Sequence, residues 1–265
     1  MLSKVPLFAD HTWLSASWER PLLIVATIAF IVLWITLRRL NRKRPADIYD
    51  PQRAWLRAGQ YFIACFVVSW ATGVLPTLLT TPFARPDQTG DAMWLLATVG
   101  LFAIVILGYG IVWRGGTVSH SRPLFLITVI PFGILWGLSA AQLLLSVWAL
   151  VEMTGLGPIT AAIGTYLGGG MLNGLWHSKY WDIRVSPDHN ILETNTRKII
   201  LAHTPNLTLC LVHMVVFANP HVFVLAQVSA LTISTWVMHF PPFWGTAAAM
   251  VPQHKPEGRP RADLP

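Results

Sequence analysis

Charge is what this chain has least of. Only 12% of its 265 residues are Asp, Glu, Lys or Arg, while 54% are hydrophobic. A soluble domain carries about 25% charged residues, so the deficit excludes an ordinary water-solvated surface. Cysteine is scarce too. Cys65 and Cys210 are the two in the chain, each inside an apolar run. No CxxC or CxxCH occurs, which excludes a zinc ribbon, a redox dithiol and c-type haem attachment. HExxH and the HxxHH boxes of membrane desaturases and hydroxylases are also absent. The last apolar run holds no lysine for a retinal Schiff base. Gly164, Gly168, Gly169 and Gly170 have no Walker-type lysine beside them, and they suit close helix packing rather than a phosphate loop. No internal repeat is visible, against an inverted-repeat transporter. The net charge of +7 does not indicate nucleic acid, because the basic residues fall between apolar runs instead of forming a patch.

What is present is a series of apolar runs. Seven are long enough to cross a bilayer, which takes about 20 residues: 21–37, 58–79, 92–113, 123–151, 157–176, 191–218 and 221–240. Thirteen tryptophans accompany them, as expected where indole rings sit at membrane interfaces. The pattern predicts an all-α fold, a polytopic integral membrane helix bundle of about seven transmembrane helices. Residues 1–20 read as an N-terminal interfacial segment, since the first apolar run leads into a basic cluster and not into a cleavage site. The charged, proline-rich 245–265 tail reads as disordered. Pro205 is expected to bend the sixth run. The short Asn219-Pro220 link makes the sixth and seventh runs an antiparallel hairpin.

Lys and Arg set the orientation. If all seven runs span, 16 of the 19 basic residues fall on one side, in the 38–57, 114–122 and 177–198 loops and the tail. Lys4, Arg20 and Arg85 fall on the other. The bias puts the N-terminus outside and the C-terminus in the cytoplasm, in a membrane of the bacterial plasma-membrane type.

The chemistry-bearing residues gather between residues 173 and 213. Asn173 and His177 are four apart and share a helix face. Ser186-Pro187-Asp188 is turn chemistry, with Asp188 placed to cap a helix on which His189 and Glu193 stand one turn apart. An imidazole and a carboxylate on one face can hold one ion, iron or zinc. His203, Asn206, Cys210 and His213 follow spacings of 3, 4 and 3, so they form one polar stripe. His203 and His213 share a helix, and a bis-histidine haem would need a second deep histidine from elsewhere.

These residues define the leading expectation. A divalent metal would be held by His177, His189, Glu193 and His203. Asp182, Asn195 and Asn206 would orient ligands or substrate, and the substrate would be a lipid or isoprenoid-like molecule reached from the bilayer. Two other readings stand beside it. One is a transporter or proton relay along the polar stripe. The other is an accessory subunit of a membrane complex that binds a pigment or quinone. Each residue also has a plain reading: His177 as an interface anchor, His189 with Glu193 as a helix-surface pair, His213 as a hydrogen-bond partner of a neighbouring helix, and Arg197 with Lys198 as snorkelling anchors. The orientation has a direct check. A cysteine at Thr89 should be modified by an impermeant thiol reagent added outside cells, and one at Ser178 should not. Modification at Ser178 would reverse the topology.

Overall fold

A computed structural model describes residues 7–8, 48–49, 51–113, 124–170, 199–237, 239–240, 242–244 and 248–249. Their regular structure is helical apart from one antiparallel pair, Ile48–Tyr49 with Ala248–Ala249. The helices are α1 (Pro51–Ala71), α2 (Val74–Thr80), α3 (Pro86–Thr89), α4 (Ala92–Leu107), α5 (Leu126–Glu152), α6 (Pro158–Gly164), α7 (Thr204–Phe217) and α8 (Pro220–Val237). Three π-helical segments extend them. Gly108–Val112 continues α4, Thr165–Gly169 continues α6, and Ile199–His203 leads into α7.

Among the described residues, four helices are long and apolar enough to cross a membrane: Ala92–Val112, Leu126–Glu152, Ile200–Phe217 and Pro220–Val237. They match the third, fourth, sixth and seventh apolar runs. Helix is the form such runs must take in hydrocarbon, because every backbone N–H and C=O is then paired within the segment. Starts and stops are local. Asp91 caps α4 by accepting the Met93 N–H at 2.8 Å. Ala218, at φ 49°, ends α7 in the left-handed region. The Asn219 carboxamide oxygen then accepts the Val222 N–H at 3.1 Å, so the hairpin between α7 and α8 forms as expected.

One expectation needs correction. The second run is not one continuous helix. Ala54–Ala71 and Val74–Thr80 meet at an angle of 80°, with Gly73 at φ 77° between them. A glycine adopts that left-handed conformation without the steric cost a Cβ carries, so it breaks a run that hydropathy alone reads as unbroken. In the sixth run Ile200–Phe217 is one span, and Pro205 follows directly on its π-helical turn, Ile199–His203. The first run and the 171–198 stretch lie outside the described residues.

The bundle is built on α5, which packs against α1, α6 and α8. Its contact with α8 is the closest. A Cβ on Gly133 would sit 2.4 Å from Thr232 Cα, and one on Gly137 would sit 2.4 Å from Val228 Cα. The two glycines are four apart and let the backbones meet, the small-residue device of membrane helix pairs. Thr235 Oγ1 donates to the Val129 carbonyl at 2.9 Å across the same seam. On the other flank, Thr72 Oγ1 of the α1–α2 link donates to Ser146 Oγ at 3.2 Å.

Each end of the bundle is fastened. At the turn end, where α7 meets α8, the 81–90 segment closes over the hairpin. Arg85 donates to the Phe217 and Ala218 carbonyls at 3.1 and 3.3 Å. Gln88 donates to Phe217 at 2.7 Å, and Asn219 Nδ2 donates to Phe83 and Gln88 at 2.9 and 3.0 Å. These donors satisfy C-terminal carbonyls that a helix leaves unpaired. Leu7 N–H donates to the buried Glu152 carboxylate at 2.9 Å, tying residues 7–8 to the same end. At the strand end, Phe132 stacks on Phe240 at 3.8 Å, and Trp55 meets Phe132 edge-on at 4.7 Å.

The α5–α8 seam makes a sharp prediction. Gly137→Leu should destabilise the bundle by at least about 1–3 kcal/mol through overpacking, read as a fall in unfolding temperature in detergent. Gly100→Ala, whose Cβ meets nothing within 4 Å, should gain about 0.5–1 kcal/mol from helix propensity. Equal behaviour of the two variants would refute the close seam.

Candidate functional site

The expected stripe on α7 faces inward. Asn206, Cys210 and His213 are buried, and His203 is half-buried. Buried polar groups need partners, and α4 and α8 supply them.

His203 ends the π-helical segment before α7, and Tyr109 lies in the π-helical segment that continues α4. The two segments touch. A Cβ on Gly108 would be 3.4 Å from Ala202 Cα, so the small residues at this crossing bring the neighbouring Tyr109 and His203 together. The Tyr109 hydroxyl is 2.8 Å from His203 Nδ1. Trp113 stacks on Tyr109 at 5.6 Å and meets the His203 ring edge-on at 4.9 Å. The Tyr109 hydroxyl and two aromatic rings thus set the position of the imidazole. π-Helical turns inside α-helices occur frequently at functional sites.

Behind Tyr109 the polar chain continues inward. Asn206 Nδ2 donates to Tyr109 Oη at 3.4 Å, the longest and weakest of its oxygen links. Cys210 Sγ is 3.5 Å from Asn206 Oδ1, and Gln227 Nε2 of α8 is 3.6 Å from Cys210 Sγ. The sulfur links are long because sulfur is large. Five side chains from three helices therefore form one connected line that reaches His203.

His213 stands apart from that line. Its Nε2 is 3.0 Å from Thr98 Oγ1, and Thr98 also lies 2.8 Å from the Trp94 carbonyl. The threonine has one hydrogen. With it directed to the carbonyl, His213 Nε2 is the donor to Thr98. This is the helix-to-helix hydrogen bond that the plain reading of His213 foresees.

Of the expected site residues, the structure describes His203 and Asn206 and joins them through Tyr109. His177, Asp182, His189, Glu193 and Asn195 lie outside the described residues. Among the described residues no group of three His, Cys, Asp or Glu side chains is placed to hold a metal ion. His239 is half-buried in the turn after α8 at φ 47°. The Ser139, Gln142 and Ser146 stripe of α5 is buried, with Ser146 in the α1–α5 seam. Tyr109 is the residue that sequence reasoning missed. Its one signal is a lone phenol between Gly108 and Gly110 in an apolar run.

No family model matches the sequence, and neither a curated protein nor a solved structure is similar to it. The site must therefore be read from its own chemistry.

If the line is one network, its parts are coupled. Tyr109→Phe and Asn206→Leu should each cost about 1–3 kcal/mol, by leaving buried groups unpaired. The double variant should cost less than their sum, by about 0.5 kcal/mol or more. Thermal or denaturant unfolding in detergent reads all three values. Strict additivity would show that the two residues act separately.

Proposed function

We propose that this chain is an integral membrane enzyme that acts on a lipid-phase substrate, with His203 as its central polar group. The observation that carries the reading is the line from Gln227 through Cys210, Asn206 and Tyr109 to His203. Polar side chains inside an apolar bundle are costly, and a functional site is the default explanation for ionisable ones. Here four of them serve to hold one imidazole in a fixed orientation. Such backing groups fix the tautomer and aim of a histidine that meets a metal ion or a substrate.

Topology supports a site at the basic end of the bundle. Residues 7–8 are tied to the turn end through Glu152, whereas Ile48–Tyr49 pair with Ala248–Ala249 beyond the opposite ends of α1 and α8. These two attachments lie at opposite ends of the bundle, as a crossing by 21–37 would require. We propose seven spans with the N-terminus outside and the strand end in the cytoplasm, in a plasma membrane. His203 is then near the cytoplasmic face, beside the 177–198 loop.

In its metal-dependent form, the proposal takes His177, His189 and Glu193 as further ligands of an iron or zinc ion, with His203 Nε2 as the fourth. Asp182, Asn195 and Asn206 orient them. The ion would supply Lewis-acid polarisation or an activated water. The reading of the stripe as a proton path finds less support. The Asn206 and Gln227 carboxamides interrupt it, and neutral carboxamides do not readily pass protons on.

Protein purified in detergent tests the proposal by elemental analysis and by mass spectrometry of co-purified lipids. Stoichiometric iron or zinc, lost in both His203→Ala and His189→Ala, is expected. Bound lipid lost only in His203→Ala, with no metal, would retain the substrate site and remove the ion. Neither signal in the wild type would leave His203 a structural residue and overturn the proposal.

A further inference from the structure

The run that Gly73 breaks carries no charge. No Asp, Glu, Lys or Arg stands between Ala58 and Ala84. Ala54–Ala71 is about 27 Å long at the usual helical rise, close to the thickness of bilayer hydrocarbon. It can therefore cross without help from α2. The 80° bend then turns α2 along the plane of a bilayer that α1 crosses upright.

Depth follows from α5. Its 27 residues measure about 40 Å, which fills a bilayer together with its polar interfaces. Thr72, at the bend, donates to Ser146. Ser146 lies one and a half turns before Glu152, the last residue of α5, or about 9 Å inside that end. That level is the border between headgroups and hydrocarbon, where in-plane helices bury their apolar faces.

The surface of α2 fits such a border. Val74 and Thr77 are buried, where α2 packs on α1 and α5. Leu79 is 76% exposed, and Leu75 and Leu78 are half-buried. Hydroxyls are satisfied within the helix. Thr77 Oγ1 donates to the Gly73 carbonyl at 2.8 Å, Thr80 Oγ1 to Pro76 at 2.8 Å and Thr81 Oγ1 to Thr77 at 2.6 Å. Pro76, in the first turn, removes one of the N–H groups that a helix start leaves unpaired. Ile63, Phe66 and Val67 of α1 are exposed, so apolar surface continues from α1 onto α2. Charge returns at Arg85, Asp87 and Asp91, where the chain reaches the end of α7.

We propose that α2 is a ledge that seats the turn end of the bundle in one leaflet. Its partner is lipid at the border of headgroups and acyl chains. The Leu79 side meets the first methylenes of the surrounding lipids, and the charged 85–91 segment stands above it in water. A helix held in that plane sets the depth of α1 and opposes its sliding along the membrane normal. The ledge is independent of any chemistry at His203.

Spin labels read the depth. Cysteine is placed singly at Leu79, at Ile63 near the middle of α1, and at Thr89. All three positions are exposed, so a label reports its surroundings without disturbing the core. Cys65 and Cys210 are buried, and the unsubstituted protein serves as the blank. Each labelled variant is reconstituted in phosphatidylcholine bilayers. Its relaxation is measured with oxygen, which concentrates in hydrocarbon, and with a water-soluble nickel chelate. Ile63→Cys should collide with oxygen most and with nickel least, and Thr89→Cys the reverse. Leu79→Cys should fall between them, with oxygen collisions severalfold above those at Thr89→Cys. A Leu79 label as open to nickel as the Thr89 label would put α2 in water and overturn the ledge. One as deep as the Ile63 label would make α1 and α2 a re-entrant loop and overturn it equally. Few collisions with either reagent would place protein, not lipid, against Leu79, which also overturns it.

Discussion

The close seam between α5 and α8 is the constraint on which the other contacts depend. Gly133 and Gly137 bring the α5 backbone against Thr232 and Val228. That approach fixes the rotation of α8 about its own axis and so decides that Gln227 points at α7. On its other sides α5 holds α1 through Ser146 and α6 through Gly164 and Gly169, whose added Cβ atoms would meet Val151 at 2.7 Å and Leu144 at 2.8 Å. In hydrocarbon there is little hydrophobic force to press helices together. Van der Waals fit at small residues and occasional hydrogen bonds do the work. A bundle assembled this way tolerates polar side chains only where a neighbour is placed to meet them.

The site follows from that placement. Gly108 against Ala202 gives α4 and the start of α7 a second close crossing, and Tyr109 and His203 are its immediate neighbours. Both chains are π-helical there. The wider turn re-aims side chains relative to a regular α-helix. Trp113 completes the setting by covering both rings. The apolar face of α4, with Leu96, Val99, Ile106 and Ile111 exposed, looks outward, so the polar line has hydrocarbon-like surface on one side and the α5–α8 core on the other. Function, in this reading, is concentrated on one imidazole because the bundle can afford to satisfy few polar groups.

Much of this was legible beforehand, and the misses are specific. The apolar runs at 92–113, 123–151 and 221–240 became α4 with its extension, α5 and α8 within a few residues at each end. The stripe of His203, Asn206, Cys210 and His213 faces inward as its spacing of 3, 4 and 3 foretold. Gly73 was missed as a break because one glycine in an apolar run barely alters hydropathy. Tyr109 was passed over because its partner is 94 positions away, and no local pattern marks such a pair.

The amino-acid sequence by itself determined that the chain forms apolar helices and where most of them run. The reason is local: in an environment without water each backbone group must pair within its own segment, so length and hydropathy suffice. It determined, too, which residues share a helix face, because the helical period is fixed. Only the tertiary structure decided which polar groups meet. That depends on how α4, α7 and α8 are rotated against one another, and the rotation is set by glycine contacts between helices far apart in the chain.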